Sequence, residues 1–161
     1  MNPQFNRELL LDTLRRHGIE YVFLGEELGA RSNDPTCYRN GKVQYELLSK
    51  TTLFREGVER VRDGSKKYRI ALMCAEKDPL QCHRTILVAR NLVEQGTPVQ
   101  HILFDGKIEN QEQSMERLLN TLKMTSSDLF RSRDEIIRDA YRKQGDAIAY
   151  SERNMDERAE G

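Results

Sequence analysis

The chain has 161 residues, three cysteines and no tryptophan, and its 26 basic residues are balanced by 26 acidic ones. That length fits one domain with a real core, and the balance excludes a global pull toward nucleic acid or membrane while leaving room for a local basic patch. No apolar run reaches the length of a membrane span, the start carries no signal-peptide core, and a small odd number of cysteines is not a secreted disulfide framework; a reducing cytoplasm is the compartment these features suggest.

The first expected helix covers residues 7–16, with Asn6 as N-cap, Leu10 and Leu14 on one face, and His17-Gly18 as its end. Residues 19–24 read as a strand. A loop with Gly25, Gly29 and Arg31 follows, then a turn-rich stretch holding Cys37, Tyr38 and Asn40-Gly41. A short helix is expected over residues 43–48. A longer one is expected over residues 52–62, with Leu53, Phe54, Val58 and Val61 on its apolar side and Asp63-Gly64 breaking it.

Residues 69–73 form a short apolar run with flanking charge, which predicts a buried strand. Asp78-Pro79-x-Gln81 supplies an N-cap, a proline at the first helical position and a capping-box partner, so a helix is expected over residues 79–94. A third strand is expected over residues 99–104. Beyond it the pattern turns helical: Met115, Leu118, Leu119 and Leu122 share one face, and Ser132-x-x-Glu135 caps a helix whose buried side is Ile136, Ile137, Ala140 and Tyr141. Gly145 is expected to end that helix, residues 147–150 to dock on the core, and residues 151–161 to form a mobile tail.

Strands alternating with helices predict an α/β domain over residues 1–150, in two or three layers, with a small mainly parallel sheet and a helical C-terminal extension. In such folds chemistry collects where a strand ends and a helix begins. The junction of the second strand with its helix holds Cys74, Glu76, Cys82, His83 and Arg84 within eleven residues.

The run Cys74-Ala75-Glu76-Lys77-Asp78-Pro79-Leu80-Gln81-Cys82-His83-Arg84 resembles the Cys-Ala-Glu-x-x-Pro-x-x-Cys-His-Arg signature of the DUF488 family, small prokaryotic proteins of undefined activity. Asn2-Pro3-Gln4-Phe5-Asn6, Gly18-Ile19-Glu20-Tyr21, Leu28-Gly29 and His101-x-x-x-Asp105-Gly106 add to the likeness, which spans nearly the whole chain. The resemblance names no reaction. It implies a further strand-helix unit upstream of residue 1, either lost from this member or left out by a start placed too far downstream, and so an expected sheet edge open to pairing with another chain.

Each residue at the junction carries a functional and a structural reading. Cys82 is a nucleophile activated by a helix N-terminus, or a small core hydrophobe. Cys74 and Cys82 are close enough across the loop for a redox disulfide if their Cα atoms approach within about 7 Å. A metal site recruiting Cys37 ranks below both, because the Cys74-x7-Cys82-His83 spacing is not a zinc pattern. Glu76 is a general acid or base, or the ion-pair partner of Arg84. His83 is a proton carrier, or a neutral ring bonded to a carbonyl. Arg84 is an anion fork, or a salt bridge to Glu76 or Asp78. Gly29, Arg31 and Tyr38 are a second wall of the site, or turn and core residues. His101 reads as a structural histidine.

The leading functional expectation is an enzyme-like site for an anionic small molecule, such as a nucleotide or modified base. Cys74, Glu76, Cys82 and His83 are its chemical groups and Arg84, Gly29, Arg31 and Tyr38 its ligand contacts; no metal is expected and no cofactor is specified. Two alternatives remain: a nucleic-acid-binding accessory protein using Lys66, Lys67, Arg69 and Arg84, and a non-catalytic structural or interaction protein.

Overall fold

The computed structural model describes residues 6–151. The expected N-terminal motif at residues 2–5 and all of the expected tail after Ser151 lie outside the described residues.

Helix α1 (Arg7–Arg16) starts where Asn6 accepts the Glu8 N–H and stops at Gly18, whose φ of +69° suits a residue without Cβ. The Asn40-Gly41 pair has φ of +52° and +73°, the left-handed geometry of a tight hairpin. It joins β1 (Tyr38–Arg39) to β2 (Lys42–Val43) in antiparallel pairing. Helices α2 (Tyr45–Leu48) and α3 (Thr52–Ser65) follow. Phe54, Gly57, Val58 and Val61 form the buried face of α3, whereas Leu53 is 50% exposed, on the opposite side from its expected place. Asp63-Gly64 does not break α3, which runs on to Ser65.

The parallel sheet is not formed. Among the described residues the strands make two separate antiparallel pairs, β1 with β2 and β3 (Gln100–Ile102) with β4 (Ile108–Asn110). Residues 19–24 and 69–73 pass through without a ladder partner, and Ile19, Val22, Phe23, Ile70 and Met73 are exposed. The reason is local closure. The Asp105-Gly106 turn, with Gly106 at φ +83°, folds the chain back on β3 within five residues, at a far smaller loop-entropy cost than a crossover connection. The mixed helix-and-sheet class stands; the mainly parallel sheet does not.

Helix α5 (Gln111–Thr121) begins with a full Asn110/Gln113 capping box. Helix α6 (Arg133–Ile148) begins with the expected Ser132/Glu135 box and passes through Gly145 without ending there. A Cβ at Gly145 would sit 3.2 Å from the Tyr45 ring, so this glycine lets α6 approach α2 closely. Of the expected docking segment, residues 147–148 complete α6, Ala149 is buried and the Val43 N–H donates to Tyr150 O at 3.0 Å; Ser151, expected in the tail, pairs with Lys42.

The helical segment of residues 84–94 is the central post. It opens with a π-helical turn (Arg84–Ala89) and continues as α4 (Arg90–Glu94). Leu87, Val88 and Leu92 pack into one apolar cluster with Phe54, Val58 and Val61 of α3. Ile86 packs into a second, with Leu118 and Leu119 of α5 and Ile136 and Tyr141 of α6. Loop residues 27–28 lie against α3, where a Cβ at Gly57 would meet Glu27 Cβ at 2.7 Å.

Candidate functional site

The junction is assembled by an interrupted helix. Asp78 caps only a short 3-10 turn (Pro79–Gln81), accepting the Leu80 N–H at 3.0 Å, while Gln81 is exposed and completes no capping box. In a continuous helix the Leu80 carbonyl would accept the Arg84 N–H. Here the buried Gln144 amide of α6 donates to that carbonyl at 2.8 Å instead. The chain breaks at Cys82, which takes an extended backbone (φ −126°, ψ 137°) and starts the helix afresh. Its carbonyl accepts the N–H groups of Thr85 and Ile86 at 3.1 and 3.2 Å, and its sulfur accepts the Arg84 N–H at 3.3 Å. Cys82 therefore caps the helix start with its sulfur, two residues before the π-helical turn that opens at Arg84.

Cys74 lies opposite, half-buried at the end of the extended 69–73 segment. Its sulfur accepts the Glu76 N–H at 3.4 Å. The Cys82 thiol is the main reason that the Cys74 thiol is drawn down to about 6; the Glu76 N–H and the Arg84 charge act in the same direction, against burial and the Glu76 carboxylate. Cys82 is pushed up by Cys74 and by its own burial. The proton stays on the buried sulfur and the charge resides on the more accessible one.

Cys82 is a core residue at 1% exposure, and its thiol is pushed up, opposite to the activation expected at a helix N-terminus. Arg84 is paired with neither of its expected carboxylates. Among the described residues it forms no ion pair, and its guanidinium donates only to Leu72 O, at 3.4 Å. Asp78 is held by Arg117 instead, at 3.1 Å, and the exposed Glu76 side chain forms no ion pair among the described residues. The expected Glu76–Arg84 salt bridge is absent because the loop turns the Glu76 carboxylate into solvent. His83 is half-buried, and this burial, together with the neighbouring Arg84 charge, lowers its pKa. Its Nδ1 lies 3.8 Å from Cys82 Sγ.

The other expected wall residues are engaged elsewhere. Arg31 stacks over the Tyr150 ring at 4.1 Å. Tyr38 donates to Ser32 O at 2.8 Å and accepts the Ser32 N–H, closing its own turn. A Cβ at Gly29 would sit 2.3 Å from the Gly25 carbonyl oxygen, so that glycine serves the turn. Lys66 is paired with Asp63. His101 is structural as expected: Thr85 Oγ1 lies 3.3 Å from its Nδ1 and Gln111 Oε1 lies 2.6 Å from its Nε2. Gln111 in turn donates to Tyr141 OH at 2.5 Å, which continues the buried chain to α6. No group of three or more metal-ligating side chains occurs among the described residues.

Two side chains outside the motif were missed. Gln144 lies on the same face as Ala140 and Tyr141, so a polar residue within an apolar helical stripe was a signal available in the sequence. Arg117 carried no such signal, being one of three charged residues on α5, none set apart by the pattern. Two cavities lie away from the junction: one of about 330 Å³ near Ser32 and Tyr38, and one of about 820 Å³ between α2, α4 and α6, lined in part by Tyr45, Ile86, Arg90 and Tyr141.

A family model described as domain of unknown function DUF488 matches residues 1–91, more than half of the chain. The chain belongs to the DUF488 family. The match includes the whole 74–84 junction and stops inside α4, leaving β3, β4, α5 and α6 outside. No curated protein and no solved structure matches the chain. No described helix of this DUF488 protein is long and apolar enough to cross a membrane.

Proposed function

We propose that this DUF488 protein carries a thiol-enzyme site in which Cys74 is the nucleophile and a small anion is the substrate. The observation that carries the reading is a half-buried Cys74 drawn down to about 6, chiefly by the Cys82 thiol. A thiolate populated at neutral pH is the attacking form in covalent catalysis. Arg84 supports the anion. Its guanidinium lies close enough to lower the Cys74 pKa, and no carboxylate among the described residues neutralises it. The π-helical turn that begins at Arg84 is a further mark, since such turns recur at functional sites. Glu76, at the mouth of the loop, is the proton carrier of this scheme.

The test compares two alkylating reagents of similar size, anionic iodoacetate and neutral iodoacetamide, on Cys74. The reading expects iodoacetate to be favoured in the wild type, that preference to collapse in Arg84→Gln, and phosphate to protect Cys74 against both reagents. Equal reagent ratios in wild type and Arg84→Gln, with no protection by phosphate or sulfate, would remove the anion from the proposal.

A further inference from the structure

We propose that the cavity of about 820 Å³ between α2, α4 and α6 binds an aromatic organic anion, at a site separate from the cysteine junction. The inference does not rest on the thiol reading. It starts from where the cavity sits, at the meeting of the two apolar clusters. Val43 belongs to one, Ile86 and Tyr141 belong to the other, and the Tyr45 ring packs against both. The volume falls within the range of small-molecule sites, and two tyrosine rings among the walls suit a flat apolar body. A buried polar chain also ends at this wall. The Gln111 amide oxygen can only accept, so it takes the His101 Nε2 proton at 2.6 Å. The amide nitrogen can only donate, so it gives a proton to Tyr141 OH at 2.5 Å. Tyr141 is 6% exposed, and its own hydroxyl proton is left over, with no acceptor among the described residues.

The charges around the cavity set the sign of its ligand. Two of the three lining carboxylates are already held: Asp139 by Arg131 and Arg142, and Asp146 by Lys42. Glu46 is the third. Of the lining cations, Arg90 is paired with Glu94 and lies over the Tyr141 ring at 4.9 Å. Lys50 and Lys143 form no ion pair among the described residues, and Arg39 spends its guanidinium on the Thr36 and Tyr38 carbonyls. Three cations without a carboxylate thus stand against one carboxylate without a cation. Burial raises the pKa of both phenols, that of Tyr141 to about 12, so both remain protonated donors at neutral pH. Donors and cations around a ring-lined apolar floor match a ring system that carries one carboxylate, sulfonate or phosphate group. The rings lie against Tyr45 and Ile86 in this arrangement, and the acid group lies toward Lys50 and Lys143.

The experiment titrates the full chain with two fluorescent dyes, anilinonaphthalene sulfonate and phenylnaphthylamine, which is the same ring system without the sulfonate. Both are expected to bind saturably, the sulfonate more tightly. The double variant Lys50→Glu/Lys143→Glu should weaken the sulfonate about tenfold, the scale of two reversed exposed charge contacts, and leave the neutral dye unchanged. Leu47→Trp puts a large ring into the cavity wall and should weaken both dyes. Sulfonate binding that is unsaturable, or that is unchanged in the double lysine variant, would overturn the proposal. So would binding that is lost in Arg84→Gln, at the junction, or in Leu129→Ser/Phe130→Ser, an apolar pair 94% and 92% exposed. A measurement on the wild type decides the matter even if a variant fails to fold. The sulfonate should slow acetylation of Lys50 and Lys143, mapped by peptide mass spectrometry, and leave the exposed Lys107 unaffected. Equal acetylation rates at Lys50 and Lys143 with and without the dye would overturn the site.

Discussion

Arg117 donates through one nitrogen to both carboxylate oxygens of Asp78 at 3.1 Å, and its other two nitrogens hold Glu109 at 2.9 Å. Asp78 begins the turn that leads to Cys82, whereas Arg117 lies on α5, beyond the residues that match the family. The C-terminal part of the chain thus clamps the loop between the two cysteines. Gln144, bonded to Leu80 O from α6, holds the same turn from a second side.

The clamp has a stability signature. Arg117→Met should lower stability by about 1–2 kcal/mol, the scale of charged hydrogen bonds discounted for partial exposure. The Glu109 carboxyl is held below its ordinary value, chiefly by the Arg117 bonds. Its folded pKa is depressed, so its contribution is fully present above the unfolded value near 4.5 and is lost as pH falls through the folded value. Acid-unfolding curves should therefore show wild type and Arg117→Met converging as pH drops below that region. Parallel curves throughout would contradict the assignment.

The half-buried His83 and the buried His101 predict a pH effect at higher pH. Burial lowers the pKa of both His83 and His101 in the folded protein. For a base this means that the unfolded chain binds more protons just below about 6.5, so stability is full above that pH and falls as pH drops through it. Urea midpoints should be lower at about pH 5.5 than at about pH 7.5. His83→Gln and His101→Gln should each shrink the difference. A wild-type midpoint that rises on acidification over this range would rule the account out.

The packing of α3 and α5 is tested by paired truncations. Leu118, at 0% exposure, and Phe54, at 1%, should each lose several kcal/mol on change to Ala, about 2–5 for the leucine and about 3–5 for the phenylalanine. Leu53→Ala should stay within about 0.5 kcal/mol, because its side chain faces water. Comparable losses at Leu53 and Phe54 would show that α3 presents a different face to the core.

These results also mark what the sequence made legible. Capping residues were read well: Asn6 and the Ser132/Glu135 box start helices where their side chains can accept N–H groups. Internal glycines were misread as stops, because Gly64 and Gly145 sit inside helices held by tertiary packing. Residues 19–24 and 69–73 have the apolar content of strands, but strand character is completed only by a partner, and neither has one among the described residues. That Cys82 lies near a helix start was readable from Asp78-Pro79. The break that makes Cys82 a thiol cap was not, because it depends on Gln144, which bonds Leu80 from 64 residues further along the chain.

The central claim is that the charge of the thiol pair rests on Cys74. The direct measurement is the pH dependence of Cys74 alkylation by iodoacetamide, followed by peptide mass spectrometry in the wild type and in Cys82→Ala. The account predicts a wild-type midpoint of about 6 that rises in Cys82→Ala, where the donor is removed. A midpoint at the ordinary thiol value of about 8.5 in both proteins would contradict it.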